Sequence, residues 1–98
     1  MEELRRLEAY LRATGVQYEA FNEEGRWGRH QIIVFEDGER SWDAICQRGS
    51  YGWEDGLLEV MGEPVVKPGD GDSVCGWLTA DEVIERFEEY KENGRRWL

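Results

Sequence analysis

Apolar positions change their spacing twice along this chain. From residue 4 they recur every three or four residues as Leu4, Leu7 and Leu11, with Tyr10 beside them and Glu and Arg between. That period lays one stripe along an α-helix. Glu2 and Glu3 stand at its positive end and Arg12 at its negative end. Thr14-Gly15 supplies the stop, because glycine takes the left-handed conformation that closes many helices. Beyond Gly15 the period drops to two. Val16, Tyr18 and Ala20 alternate with Gln17 and Glu19, and Phe21 follows, so a strand is predicted over about residues 16–22. The polar turn Asn22-Glu23-Glu24-Gly25 leads to a second run over 27–35 that contains Ile32-Ile33-Val34-Phe35. Asp37-Gly38 is a strong hairpin signal between strands. The third run puts Trp42, Ala44 and Cys46 on one face and Ser41, Asp43 and Gln47 on the other. Adjacent runs joined by short turns predict an antiparallel meander.

Residues 48–78 break this rhythm. Arg48-Gly49-Ser50-Tyr51-Gly52-Trp53 mixes glycines with aromatics. The apolar run 57–61 is too short for its period to separate a strand from a helical turn. Residues 63–73, with two prolines and Gly69-Asp70-Gly71-Asp72, read as a loop, and Cys75-Gly76-Trp77-Leu78 leads into the last element. There Thr79 and Glu82 have capping-box spacing, Val83, Ile84, Phe87 and Tyr90 form a stripe, and Asn93-Gly94 ends the helix before Arg95-Arg96. The expected fold is a single two-layer α+β domain over residues 1–98. Its order is helix, three-stranded antiparallel meander, irregular segment, helix, with both helices on one sheet face.

Charge narrows the partners. The 98 residues hold 22 acids against 12 bases, a formal net charge of −10. Direct binding to nucleic acid or an anionic membrane is disfavoured, because both need a basic face. Disorder is disfavoured too, since 40% of residues are hydrophobic and five are tryptophan. No apolar run approaches the ~18 residues of a membrane span. Met1-Glu2-Glu3 is not a basic leader, so no secretory signal and a cytoplasmic location are expected. Cys46 and Cys75 match no metal or redox spacing, and they read as reduced thiols with at least one buried; spacing leaves a single disulfide open.

No catalytic constellation stands out. His30 and the two cysteines are not spaced as metal ligands, and no cofactor motif is present. Ser50 lies in Gly49-Ser50-Tyr51-Gly52, which is not a nucleophile elbow and reads as a tight turn. Asp70-Gly71-Asp72-Ser73 lacks the ligand spacing of a calcium loop. A non-enzymatic protein is expected. A small hydrolase or nucleotide-binding enzyme would need a concave pocket around His30 or Ser50.

The acidic surplus is uneven. Residues 1–14 are balanced, whereas 41–78 hold seven acids and two bases. Carboxylates on loops can mimic phosphate spacing and compete for a basic groove. The candidate partner contacts are Glu54, Asp55, Glu59, Asp70 and Asp72, with Trp53 as an aromatic anchor. Trp42 fits the core, Trp77 is expected to pack before the last helix, and Trp97 either folds back or meets another chain.

The stretches Ser50-Tyr51-Gly52-Trp53-Glu54-Asp55-Gly56-Leu57-Leu58-Glu59-Val60-Met61-Gly62 and Gly76-Trp77-Leu78-Thr79-Ala80-Asp81-Glu82-Val83-Ile84-Glu85-Arg86 resemble a pattern in small acidic proteins of bacterial phages and mobile elements. Size, charge and element order are similar to those of small anti-CRISPR proteins that mimic DNA. The resemblance implies an inhibitor that occupies the nucleic-acid groove of a host defence protein. The alternative is a structural or assembly module, either a homodimer or a subunit of a larger complex.

Overall fold

The structure is a computed structural model and describes residues 2–97. Its elements in chain order are α1 (Glu2–Thr14), β1 (Tyr18–Asn22), β2 (His30–Glu36), β3 (Glu39–Ile45), β4 (Leu58–Met61), β5 (Val74–Leu78) and α2 (Ala80–Glu92). The strands form one antiparallel sheet in the order β1-β2-β3-β4-β5, an unbroken meander. The α+β class and the expected first three strands hold. The irregular segment is corrected: it contributes β4 and β5, so the sheet has five strands rather than three. The first strand starts at Tyr18, not Val16, because Gly15 adopts φ +74° and Val16 still donates its N–H to Leu11 O (3.0 Å).

Local signals explain the regular parts. Asp37 (φ 53°) and Gly38 (φ 80°) form the left-handed pair that a two-residue hairpin turn needs. At α2, Thr79 N donates to Glu82 Oε1 (2.9 Å) and Glu82 N donates to Thr79 Oγ1 (3.2 Å), a closed capping box.

Register sorts the side chains onto two faces. Ala20, Ile32, Ala44, Val60 and Cys75 line up across the sheet on one face, and Glu19, Ile33, Asp43, Met61 and Val74 on the other. Both helices cover the first face. Leu4, Leu7 and Leu11 of α1 and Val83 and Phe87 of α2 are buried in one cluster with Val34, Trp42 and Val60. Trp42 and Phe87 meet at its centre, with ring centroids 5.1 Å apart. The helices run side by side in the same direction: Glu3 accepts the N–H of Ala80 (2.6 Å), Arg6 pairs with Asp81 (3.1 Å), and Tyr10 donates to Glu88.

No described helix covers the second face. Part of it is roofed by its own polar side chains. Arg29 lies over the Phe21 ring (3.7 Å) and donates to Gln31 Oε1 (2.7 Å); Gln31 Nε2 donates to the buried Asp43 (2.6 Å). Asp43 thus lies opposite Trp42 and Ala44 as the alternation predicts, yet it is shielded from water. Both cysteines are free thiols, and Cys46 is buried. No described helix is long and apolar enough to cross a membrane.

Candidate protein-interaction site

The β3–β4 connection builds a platform at the β5 edge. Ser50 fixes its first turn: the hydroxyl donates to Gln47 O (2.7 Å) and accepts from Gln47 N (3.1 Å). The hydroxyl is therefore spent on the turn. Next, Tyr51 N donates to Glu59 Oε1 (2.8 Å), and Tyr51 O accepts from Trp77 N (3.2 Å). A single 3-10 turn, Trp53–Asp55, closes the loop between two left-handed glycines, Gly52 and Gly56.

Two glycines make the close approach possible. A Cβ on Gly76 would lie 2.3 Å from Tyr51 Cβ, inside any contact distance. A Cβ on Gly52, itself at φ +103°, would lie 3.0 Å from Trp77 N. Pressed against this backbone, Tyr51 and Trp77 stack with centroids 5.3 Å apart and planes 9° from parallel.

Trp77 overturns an expectation. It does not pack before α2: 56% of its surface is exposed, and Tyr51 beside it is 49% exposed. The register shifts between Leu58 and Val60 opposite β5, and Trp77 sits at φ +56°, a left-handed conformation costly for a bulky side chain. Bulge and twist together turn the indole outwards. A non-glycine held in such a conformation, with an exposed ring, is the kind of strain that accumulates at functional sites.

The platform borders a cleft of about 270 Å³, lined by Ser50, Tyr51, Trp53, Glu54, Asp55 and Trp77 with the glycines between. Glu54 and Asp55 are exposed, and neither has a side-chain partner among the described residues. Trp53 is half-buried and leans on the core, so it forms a wall and not a protruding anchor. Next to the cleft, the Arg48 guanidinium lies between two indoles, 4.8 Å from Trp27 and 5.8 Å from Trp53. Trp27 is the most exposed large hydrophobic residue described, at 74%.

Four of the six candidate contacts therefore converge: Trp53, Glu54, Asp55 and Glu59. Glu59 acts by positioning, since its carboxylate is occupied by the Tyr51 N–H. Asp70 and Asp72 lie elsewhere. Asp72 is exposed and folds back on the Ser73 N–H (2.7 Å); it borders a separate cleft with Lys67 and Trp97. Trp97 folds back, donating its indole N–H to Glu63 O (2.6 Å) and packing on Tyr90.

Asp70 belongs to the scaffold. Its Oδ2 accepts from Arg86 Nη1 (2.7 Å) and from Lys67 N (2.7 Å), while Arg86 also reaches Val65 O (2.9 Å). The two side chains are only 14% and 16% exposed. The Arg86 hydrogen bond holds the Asp70 carboxyl below its ordinary range. A depressed carboxyl stabilises the fold above the unfolded pKa, near 4, and loses that contribution as the pH falls through the folded value. Asp70→Asn is expected to lower the unfolding free energy by about 2 kcal/mol at neutral pH and by far less near pH ~2. Urea titrations at both pH values measure it; an equal loss at both would show that the carboxylate charge is not involved.

Other reactive groups are quiet. Burial pushes both the Cys46 and Cys75 thiols up, which favours the protonated form. His30 Nδ1 is paired with Asn22 Oδ1 (2.7 Å). Among the described residues, no three His, Cys, Asp or Glu side chains converge as a metal site. The chain matches no family model, no curated protein and no solved structure.

Proposed function

We propose that this chain is a non-enzymatic binding module that engages a basic protein surface through the Tyr51–Trp77 platform and its acidic rim. One observation carries the reading: two stacked, half-exposed aromatics held outwards by a strained backbone that depends on Gly52 and Gly76. Rigid aromatic side chains give large contact area at low entropic cost and dominate protein interfaces. The sharper form of the proposal is an anti-CRISPR or anti-restriction inhibitor occupying the nucleic-acid groove of a host defence protein. Its support is the net charge of −10 and the exposed Glu54 and Asp55 at the rim, which have no side-chain partner among the described residues. Asp70 is not part of that rim, because it is consumed by Arg86.

The test uses the immobilised chain, host lysate at low and high salt, and elution with duplex DNA. Basic proteins retained at low salt, released by DNA and lost in Glu54→Lys/Asp55→Lys are expected. Retention that survives charge reversal, or that DNA does not relieve, counts against the mimic. One observation favours the alternative of a homodimer or assembly subunit: the helix-free sheet face presents Met61, 50% exposed, beside the partly exposed Val74. Light scattering separates the two, since a homodimer through that face would resist salt.

A further inference from the structure

We infer that the cleft beside the Tyr51–Trp77 stack receives a single arginine side chain of the partner. This rests on the binding reading above and adds the chemistry that the site selects. The cleft joins two kinds of group. Its lining includes an exposed aromatic stack, Tyr51 and Trp77, and the two acids Glu54 and Asp55. A ring face attracts a cation through its quadrupole, and a carboxylate completes the charge. Neither acid is neutralised from within the described chain. Arg48, next to the cleft, faces Trp27 and Trp53 instead.

Arginine fits better than lysine. A planar guanidinium can lie flat on an indole while its edge N–H groups still reach carboxylates; an ammonium is a compact, strongly hydrated point charge. The molecule makes cation–ring contacts of both kinds internally, with Arg29 3.7 Å from the Phe21 ring centroid, Arg48 4.8 Å from that of Trp27 and Lys91 4.3 Å from that of Phe87, so the preference for arginine rests on its planar shape. Those rings already hold their cations. The Tyr51–Trp77 stack has the same aromatic chemistry, a carboxylate rim, and no cation over it among the described residues. Its backbone is pre-set by the hydrogen bonds from Tyr51 N to Glu59 and from Trp77 N to Tyr51, so little ordering remains for binding.

The experiment titrates the intact chain with the capped tripeptide acetyl-Gly-Arg-Gly-amide and follows the tryptophan indole N–H resonances by NMR. A saturable shift of the Trp77 resonance is expected. The lysine tripeptide should bind about threefold or more weakly. Glu54→Gln/Asp55→Asn should weaken the arginine tripeptide by about threefold to tenfold. The neutral citrulline tripeptide should leave the resonance in place. No saturable shift, or an equal shift with citrulline, overturns the inference. Trp77→Asn accepts the left-handed backbone and identifies the resonance; a saturable arginine response persisting unchanged at the Trp53 indole in that variant also overturns it. If the tripeptide fails while charge reversal still abolishes capture of the lysate protein, the arginine assignment falls and the binding module stands.

Discussion

Trp77→Gly is expected to keep the fold and lose the partner. The substitution relieves a left-handed tryptophan, a gain of about 1 kcal/mol, and gives up a stacked aromatic contact of similar size together with some chain stiffness. Net stability should stay within about 1 kcal/mol of the parent. Binding should fall ~30-fold or more, because an exposed aromatic at the centre of an interface is a typical hot spot. Thermal unfolding and a titration against the captured partner give the two readings. A protein that unfolds would place Trp77 in the scaffold, and one that binds unchanged would remove the platform from the interface.

The second large effect is the opposite case. Phe87→Ala empties the space against Trp42, where both rings are almost wholly buried. Truncating a buried phenylalanine costs about 3–5 kcal/mol, a large share of the ~5–15 kcal/mol that holds a small domain together. For a domain of this size that loss lowers the melting temperature by roughly 12 °C or more. The Trp42 indole N–H beside it is buried with no hydrogen-bond partner among the described residues, so packing alone holds that ring. Phe87→Leu, which refills most of the volume, should recover more than half of the loss. Calorimetry on both variants checks this. Equal melting points for Ala and Leu would show that the cavity relaxes and that packing volume is not what matters there.

Local signals made most of the frame legible. Thr79 and Glu82 identify their own capping box, Asp37-Gly38 its own turn, and the stripes of α1 and α2 their buried faces, because each is decided by residues a few positions apart. The strands β4 and β5 were not legible. They have four and five residues, and β5 contains a glycine and a shifted register, so neither shows a sustained alternation. Trp77 failed for the same reason: a left-handed residue points its side chain where strand alternation does not. The adjacent Gly76 was the only local hint, and its meaning depends on Tyr51, twenty-five positions earlier. Asp70 and Asp72 look alike in the chain and have different fates, since only Asp70 meets Arg86, sixteen residues away.

The parallel placement of the two helices also fixes an order of events during synthesis. Of the elements described, α1 is made before the others; Tyr18 of β1 bonds its Glu8 (2.9 Å) and Arg12 (3.2 Å), but its other long-range polar partners are on α2. Glu3 bonds a residue 77 positions later, Arg6 one 75 later and Tyr10 one 78 later. Contacts this distant must wait for the whole intervening chain and its loop closure. The hairpins of the sheet join neighbours and can form as they emerge. Of the elements described, the first to be made is therefore the last to gain all its partners, and until α2 arrives only the sheet can cover its leucines.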